Sequence, residues 1–190
     1  MRRAWPVLAV PAFVLAGCTN VDTSPIDSGI PNASSSASQR PLPSPGGHWK
    51  GFASQCPKLT SAAAKDLGVA GPGAPTDEYS TSAVVTQADC HWGSSDGHGN
   101  AVDARVSIWA SQEAADAQWQ TLSTGQSTPL DVGDQGFIAE EPDAVVVRTI
   151  SGNAVATVRL KPPTGKPDTT PLHQAASEIT NDVLDDLVAR

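Results

Sequence analysis

The chain has 190 residues, of which 12 are basic and 20 are acidic, so its formal net charge at neutral pH is −8. It has no basic run that could neutralise a row of phosphates, and this charge balance argues against nucleic acid and anionic lipid headgroups as partners. The length suits one folded domain with a core of its own.

The N-terminus has the pattern of a bacterial lipoprotein signal. Arg2 and Arg3 precede an apolar run at residues 5–16, which is shorter than the roughly 20 residues that a membrane-spanning helix needs. The run ends in the letters LAGC at residues 15–18, small residues before a cysteine whose thiol can be acylated. We therefore expect residues 1–17 to be a signal peptide and Cys18 to carry the lipid. An ordinary secretory peptide that contains a cysteine is the alternative.

Lipidation of Cys18 would attach the protein to the extracytoplasmic face of the cell membrane without spanning it. Each buried methylene contributes about 0.8 kcal/mol, so two acyl chains hold firmly where one binds marginally. Residues 18–47 are rich in Ser, Pro and Gly and poor in large apolar groups. Such a segment cannot offset the entropy of ordering it, so we expect a disordered tether.

Two cysteines, Cys56 and Cys90, remain for the folded part. Exported proteins meet oxidising conditions, where an isolated pair usually forms a disulfide. The alternatives are a metal site, which needs more ligands at useful spacing, and a nucleophilic thiol, which needs a base. The sequence therefore favours a Cys56–Cys90 disulfide.

The first half of the folded part predicts two helices and two strands. Thr60 is a candidate N-cap for a helix at 61–67 that ends at Gly68, and residues 68–82 have too much Gly and Pro for regular structure. Residues 82–92 favour a strand, and the stretch at 93–100 is typical of a turn. Apolar and polar residues alternate over 101–109, which predicts a half-buried strand. Ser111 is the candidate N-cap of a helix at 112–123.

The second half predicts three strands and a terminal helix. Residues 132–141 form a turn that enters a strand, and strands at 145–150 and 153–160 are joined through Gly152 and Asn153, a hairpin signal. Thr170 is a candidate N-cap, with Pro171 in the first turn. One face of this helix carries Leu172, Ala176, Ile179, Val183 and Leu187, while Glu178, Asp182 and Asp185 face solvent. The elements predict a single α+β domain over 48–190, an antiparallel sheet with helices packed on one face.

Short motifs carry a family resemblance. CPKLT at 56–60, CHW at 90–92 and VGDQGF at 132–137 resemble a family of small actinobacterial lipoproteins of unknown function, and extracellular sensor domains of mycobacterial receptor kinases look distantly similar. The resemblance implies a lipobox, a tether, a Cys56–Cys90 bridge and a compact α+β domain akin to the PsbP-like fold. That family has no established catalytic residues, so it implies none here.

Two patterns could carry chemistry. Gly93, Ser95 and Gly97 fit the G-x-S-x-G nucleophile elbow, which requires a strand followed by a helix, but here a second strand is predicted to follow. Asp89, His91, Asp96 and His98 lie close in sequence and could bind zinc or copper. If residues 90–92 form a strand, Asp89 and His91 share one face and His98 lies in the loop beyond. We interpret both patterns as parts of a polar turn.

Other charged and aromatic residues are interpreted as surface or core. The pairs Glu140–Glu141 and Asp185–Asp186 are expected on solvated surface. Trp49 and Phe52 could form an exposed anchor but are expected to pack against the domain, and Trp92 and Trp119 are expected in or beside the core. Alternation places Trp109 on the polar face of its strand, where an exposed aromatic residue can mark a contact surface.

The sequence supports no catalytic residue, cofactor or metal site. It favours a membrane-anchored, non-catalytic binding or accessory module of the cell envelope, whose partner is an envelope protein or a small ligand. The alternative is an envelope hydrolase with residues spread through the fold. A solute-binding component of a transporter is disfavoured because such proteins usually have two lobes.

Overall fold

The computed structural model describes residues 48–76, 80–94, 98–125, 128–163 and 169–189, all within one compact unit, Gln39–Arg190. The predicted signal peptide, Cys18 and the tether lie outside these residues. In chain order the elements are β1 Trp49–Phe52, β2 Lys58–Leu59, α1 Ala62–Asp66, β3 Gly71–Pro72, β4 Ala74–Pro75, β5 Ser80–Thr81, β6 Val85–Gly93, β7 Ala101–Trp109, α2 Gln112–Leu122, β8 Thr128–Leu130, β9 Gln135–Glu141, β10 Ala144–Ser151, β11 Ala154–Lys161, α3 Thr169–Leu184 and β12 Leu187–Ala189.

The main sheet is antiparallel, with strand order β4-β6-β7-β11-β10-β9-β8 and with β5 also paired to β6. Strands β6 and β7 form one hairpin, and β8 to β11 form a meander whose last strand returns to pair with β7. The α+β class and the antiparallel sheet are therefore confirmed. Two small pairings, β1 with β12 and β2 with β3, accompany the main sheet.

The inner face of the sheet, defined as the side that contacts α1 and α3, carries the main core. The predicted alternation in β7 is confirmed, since Val102, Val106 and Ile108 are buried on this face. Helix α3 packs its apolar stripe against β10 and β11, and Ile179 and Val183 are fully buried there. The side chains of this core therefore come from both layers, as the two periodicities predict.

The expectation that all helices pack on one face is wrong, because α2 lies on the opposite, outer face. Ala115 and Trp119 of α2 form a second, smaller cluster with Phe137, Ile150 and Val155. The outer face explains this placement, since Phe137, Ile150 and Val155 put buried apolar side chains there on three adjacent strands. A strand with apolar residues on both faces requires cover on both faces.

The two ends of the folded part pair with each other, which the sequence did not predict. Leu187 was expected in the terminal helix, but α3 ends at Leu184 and Leu187 begins β12, which pairs with β1. Leu187 is nonetheless buried in the main core. Trp49 and Phe52 pack against the domain as expected, with Trp49 buried and its indole Nε1 donating to the Ser151 carbonyl at 2.7 Å.

The N-terminal ends of two helices differ from the expected caps. Ser61, not Thr60, caps α1, and Thr60 instead donates its backbone N–H to Asp182 on α3 at 2.9 Å. Asp182 also accepts from the N–H of Ser61, and Glu178 accepts from the N–H of Ala63. These two carboxylates were expected to face solvent, but they satisfy N–H groups at the start of α1.

The structure also differs from two further predictions, one for the start of α3 and one for Asp186. Helix α3 begins at Thr169, so Thr170 lies inside the helix rather than at its N-cap. Asp186, expected on solvated surface, accepts from the backbone N–H and the hydroxyl of Ser54 at 3.2 and 2.9 Å. It thereby holds the segment after β1 beside the end of α3.

The VGDQGF motif builds a tight turn that locks β9 to β10. Gly133 has φ +66°, and a Cβ there would lie 2.4 Å from Thr149 Oγ1, so only glycine fits. Buried Thr149 donates its hydroxyl to the Val132 carbonyl at 2.7 Å, and Asp134 accepts from the Gly152 N–H at 2.6 Å. The motif is therefore accounted for by structure alone.

Cys56 and Cys90 are disulfide-bonded, as predicted, with a Cα–Cα distance of 5.7 Å. The bond joins the segment before α1 to β6. None of the helices in the described part of the chain is both long enough and apolar enough to cross a bilayer.

Candidate functional site

A groove on the outer face of the sheet is the candidate site. It crosses β6, β7, β11 and β10, is bounded on one side by α2, and has a volume of about 740 Å³. Its lining comprises Thr76, Gln87, Asp89, Cys90, Asp103, Ala104, Arg105, Ser107, Trp109, Gln118, Leu122, Arg148, Val155, Thr157 and Arg159. The groove exists because α2 covers only one part of the outer face.

Strand register brings three arginines around one threonine on the groove floor. Thr157 on β11 lies directly opposite Arg105 on β7 and directly opposite Arg148 on β10. Arg159 lies two residues further along β11 and so shares the outer face with Thr157. These are all the arginines among the described residues, in a chain whose net charge is −8.

Carboxylates contact all three arginines. Asp89 Oδ1 lies 2.5 Å from Arg105 Nε, and Glu141 Oε2 lies 3.0 Å from Arg159 Nη2. Arg148 makes a longer contact with Glu141, 3.5 Å, and its guanidinium lies 5.8 Å from the centroid of the Phe137 ring. In the register, one row of directly opposed residues crosses five strands, in the order Asp89, Arg105, Thr157, Arg148 and Phe137. Asp143 Oδ1 also lies 3.3 Å from Arg159 Nη2, and Asp103 lies directly opposite Arg159, so every arginine of the cluster contacts or adjoins a carboxylate.

The end of the groove nearest α2 is apolar. Trp109 and Leu122 are half-buried and pack against the smaller cluster, and Val155 forms the floor between them. The prediction that Trp109 lies on the polar face is confirmed, but α2 shields much of its ring. Its indole Nε1 is buried and has no hydrogen-bond acceptor among the described residues.

At the edge of the groove, Asp103 lines it and forms a charged cluster with His91 and Lys161. His91 Nδ1 and Lys161 Nζ lie 2.7 and 2.6 Å from the two carboxylate oxygens of Asp103. Burial would raise the pKa of Asp103, but the hydrogen bonds from His91 and Lys161 together outweigh it and lower that pKa below its ordinary value. The contact with Asp103 orients the His91 ring, whose Nε2 is buried with no partner among the described residues.

The metal hypothesis gains no geometric support from the described residues. Asp89 and His91 share the outer face, as predicted, but Asp89 is paired with Arg105 and His91 with Asp103. Asp96 lies outside the described residues. Where side chains are described, no three His, Cys, Asp or Glu residues are grouped to hold a metal ion.

The G-x-S-x-G pattern lies at a hairpin. Gly93 ends β6 with φ +94° and pairs with Ala101 at the start of β7. Ser95 and Gly97 are outside the described residues. The element after the pattern is thus the antiparallel partner of the element before it, and a nucleophile elbow needs a helix there.

The arginine cluster was not found in the sequence, although one signal for it was present. The alternation in β7 assigns Arg105 to the polar face, and the same rule assigns Arg148 and Arg159 to one face of their own hairpin. Only the pairing of β11 with β7 brings the two faces together, and no local pattern encodes that pairing.

Comparisons with protein-family models, with curated proteins and with solved structures found no match to this chain.

Proposed function

We propose that this protein is a lipoprotein anchored through Cys18 to the extracytoplasmic face of the cell membrane, and that its folded domain is a non-catalytic binding module. The LAGC pattern at residues 15–18 and the polar segment 18–47 support the anchor and the tether. They would hold the binding domain some 30 Å from the bilayer, given a coil-like spread of about 5–6 Å × √n.

The observation that carries the binding role is the groove. Its volume of about 740 Å³ falls within the roughly 300–1,000 Å³ of small-molecule sites. It combines an apolar end at Trp109 and Leu122 with a few polar groups that could orient a ligand. This combination is typical of binding sites and sets the groove apart from the packed inner face.

The test is to purify the protein from its native membrane as wild type and as Thr157→Trp, which fills the groove with an indole. Thr121→Trp, on the exposed side of α2, is the control for adding the same bulk elsewhere. Intact mass should show a chain that begins at Cys18 and carries a diacylglycerol group. Native mass spectrometry should show a bound small molecule that Thr157→Trp loses and Thr121→Trp keeps. An unacylated chain would contradict the anchor, and a ligand retained by Thr157→Trp would contradict the groove as its site.

The finer assignments rest on the resemblance. We infer membership in the family of small actinobacterial lipoproteins from CPKLT, CHW and VGDQGF, and a PsbP-like fold from the same resemblance. The antiparallel sheet with flanking helices is compatible with that fold. Superposition of an experimental structure on a PsbP domain would test it, and a different strand order would overturn it.

One observation favours the alternative, an envelope hydrolase. Asp103 holds the His91 ring through Nδ1, as the carboxylate does in a Ser-His-Asp triad, although His91 Nε2, the atom that would act as the base, is buried. If His91 is a general base, wild-type protein should hydrolyse p-nitrophenyl acetate and His91→Ala should not. Equal rates for the two proteins would remove this alternative.

A further inference from the structure

We propose that the groove binds a small organic oxyanion, a carboxylate or a phosphate ester, with its acid group above Thr157 and its apolar part against Trp109. This inference rests on the proposed binding function and names the chemical class of the ligand. Three observations support it: the strand register, the unused donors and the apolar end of the groove.

The register places two arginines at equal distance on either side of Thr157. Residues two strands apart across a sheet have Cα atoms about 10 Å apart, which describes Arg105 and Arg148. Arg105 contacts Asp89 on the β6 side and Arg148 lies against Phe137 on the β9 side, so each guanidinium would turn inward to meet a ligand above Thr157. A planar guanidinium presents paired N–H donors that match the two oxygens of a carboxylate or phosphate.

Each arginine of the cluster already contacts a carboxylate: Asp89 contacts Arg105, and Glu141 contacts both Arg148 and Arg159. Asp143 also contacts Arg159. Arg105 uses only Nε, and Arg148 makes only the 3.5 Å contact with Glu141, so both keep N–H groups that an anion between them could accept from. The hydroxyl of half-buried Thr157 lies at the same point and can donate to the same oxygens.

Several donors of the cluster have no acceptor among the described residues. Arg105 uses Nε for Asp89, which leaves its two terminal nitrogens without a described partner, and its side chain is 59% exposed. Arg159 Nε and Trp109 Nε1 also have no described acceptor, but both atoms are buried and do not face the groove's open space. A ligand that brings acceptor oxygens would complete the hydrogen bonds that the exposed Arg105 leaves open.

The remaining space fits an apolar group rather than a second charge. Trp109, Leu122 and Val155 line the end of the groove next to α2. An aromatic or short aliphatic group there would cover apolar surface that α2 leaves partly open. A bare inorganic ion would use only one end of the groove, so the structure favours an organic anion.

The experiment is a titration of the purified chain with three probes of one shape: benzoate, phenyl phosphate and benzyl alcohol. Binding is followed by NMR, using the Nε–H signals of arginine and the indole signal of Trp109. We expect both anions to bind at least tenfold more tightly than the neutral alcohol. The ratio of the dissociation constants of benzoate and phenyl phosphate then distinguishes a carboxylate ligand from a phosphate ligand. Raising the salt concentration should weaken the two anions and leave benzyl alcohol unchanged.

Variants test whether the cluster is responsible. The double variant Arg105→Gln/Arg148→Gln should raise the dissociation constants of both anions at least tenfold. It should change that of benzyl alcohol less than twofold. Lys58→Gln/Lys65→Gln removes the same charge from exposed sites away from the groove and should change none of the three. Thr157→Glu places a carboxylate at the centre and should abolish anion binding alone, which provides a second test if the arginine variant fails to fold.

Two results would overturn the inference. Benzyl alcohol binding as tightly as the anions would show that the acid group is not recognised, as would unchanged anion affinity in the arginine variant. If Thr157→Trp then abolishes the binding of benzyl alcohol, the groove remains a binding site for another class of ligand. If none of the probes binds, the oxyanion proposal is wrong, while the test of the proposed function by native mass spectrometry stands by itself.

Discussion

At the residue scale, Asn153 connects three parts of the fold. Its side-chain oxygen accepts from the Trp49 N–H at 2.6 Å, and its amide nitrogen donates to the carbonyls of Trp49 and Trp109 at 3.1 and 2.6 Å. The sequence identified Asn153 only as a turn residue. Its buried amide in fact attaches β1 to the tip of the β10–β11 hairpin and to the end of β7.

Replacement of Asn153 by alanine should therefore destabilise the whole domain. The change leaves buried backbone groups of Trp49 and Trp109 unpaired, and each such group costs about 1–3 kcal/mol. We expect the free energy of unfolding, measured with urea, to fall by about 3 kcal/mol. The control is Asn181→Ala, at a half-buried position of α3. It should change the free energy of unfolding by no more than about 0.5 kcal/mol. Equal effects of the two changes would show that the Asn153 hydrogen bonds contribute little.

Asp103 should make the stability of the domain depend on pH, in a direction that its lowered pKa determines. Its pKa in the folded state is below its ordinary value because His91 and Lys161 hydrogen-bond the carboxylate. A lowered pKa contributes stability that is fully present above the unfolded pKa, near 3.9, and is lost as pH falls through the folded pKa.

The test is to compare wild type with Asp103→Asn at pH 7 and at pH 3. The loss in free energy of unfolding should be larger at pH 7 and should shrink at pH 3, because the Asp103 carboxyl of the unfolded chain is largely protonated there and folding must release its proton. Asp143→Asn is the matched control, since its carboxylate is 68% exposed and an exposed pair is worth little. A difference for Asp103→Asn that grows as pH falls would contradict the assignment.

At the scale of elements, α1 depends on α3 for its N-terminal end. With five residues, α1 is too short to be stable alone, and Asp182 accepts three hydrogen bonds from Thr60 and Ser61. Asp182→Ala should lower the free energy of unfolding by about 1–2 kcal/mol, the usual range for a lost N-terminal acceptor. Asp182→Asn keeps one acceptor oxygen and should recover part of this loss. If both variants match wild type, the contact between α1 and α3 is held by apolar packing alone.

The same element shows which parts of the fold can be predicted from sequence. Local periodicity identified β7, α2, the β10–β11 hairpin and the apolar stripe of α3, because burial on one face imposes a period on each segment. It failed for Asp182 and Glu178, which look like solvent-facing residues on an isolated helix. Their partners lie more than 100 residues away in sequence, and nothing in the local pattern of α3 identifies α1 as a neighbour.

The candidate site illustrates the same limit. The sequence places each arginine on the polar face of its strand, but the cluster forms only when β11 inserts between β7 and β10. The strand pairing is decided by packing of the inner face, where Ala156 and Val158 are buried. A site made by register is therefore a consequence of the core, and sequence motifs alone do not identify it.

At the scale of the whole molecule, the two sides of the main sheet are stabilised differently. The central strands β10 and β11 have helices on both faces, α3 on the inner and α2 on the outer. Strand β6 has only the two-residue strands β4 and β5 beyond it among the described elements. The Cys56–Cys90 disulfide attaches this weakly covered strand to the segment before α1.

Removal of the disulfide should therefore weaken one side of the domain more than the other. With a sequence separation of 34, the chain-entropy model gives a loss of about 4 kcal/mol for the unfolding of Cys56→Ala/Cys90→Ala. Hydrogen exchange followed by mass spectrometry should show the largest loss of protection in β6 and the segment around Cys56, while β10 and β11 lose the least. Wild type treated with a reductant is the control and should give the same pattern without the substitutions. A uniform loss of protection over the whole sheet would contradict the expected difference. It would mean that β6 opens only when the whole domain unfolds, and that the disulfide acts on the unfolded chain alone.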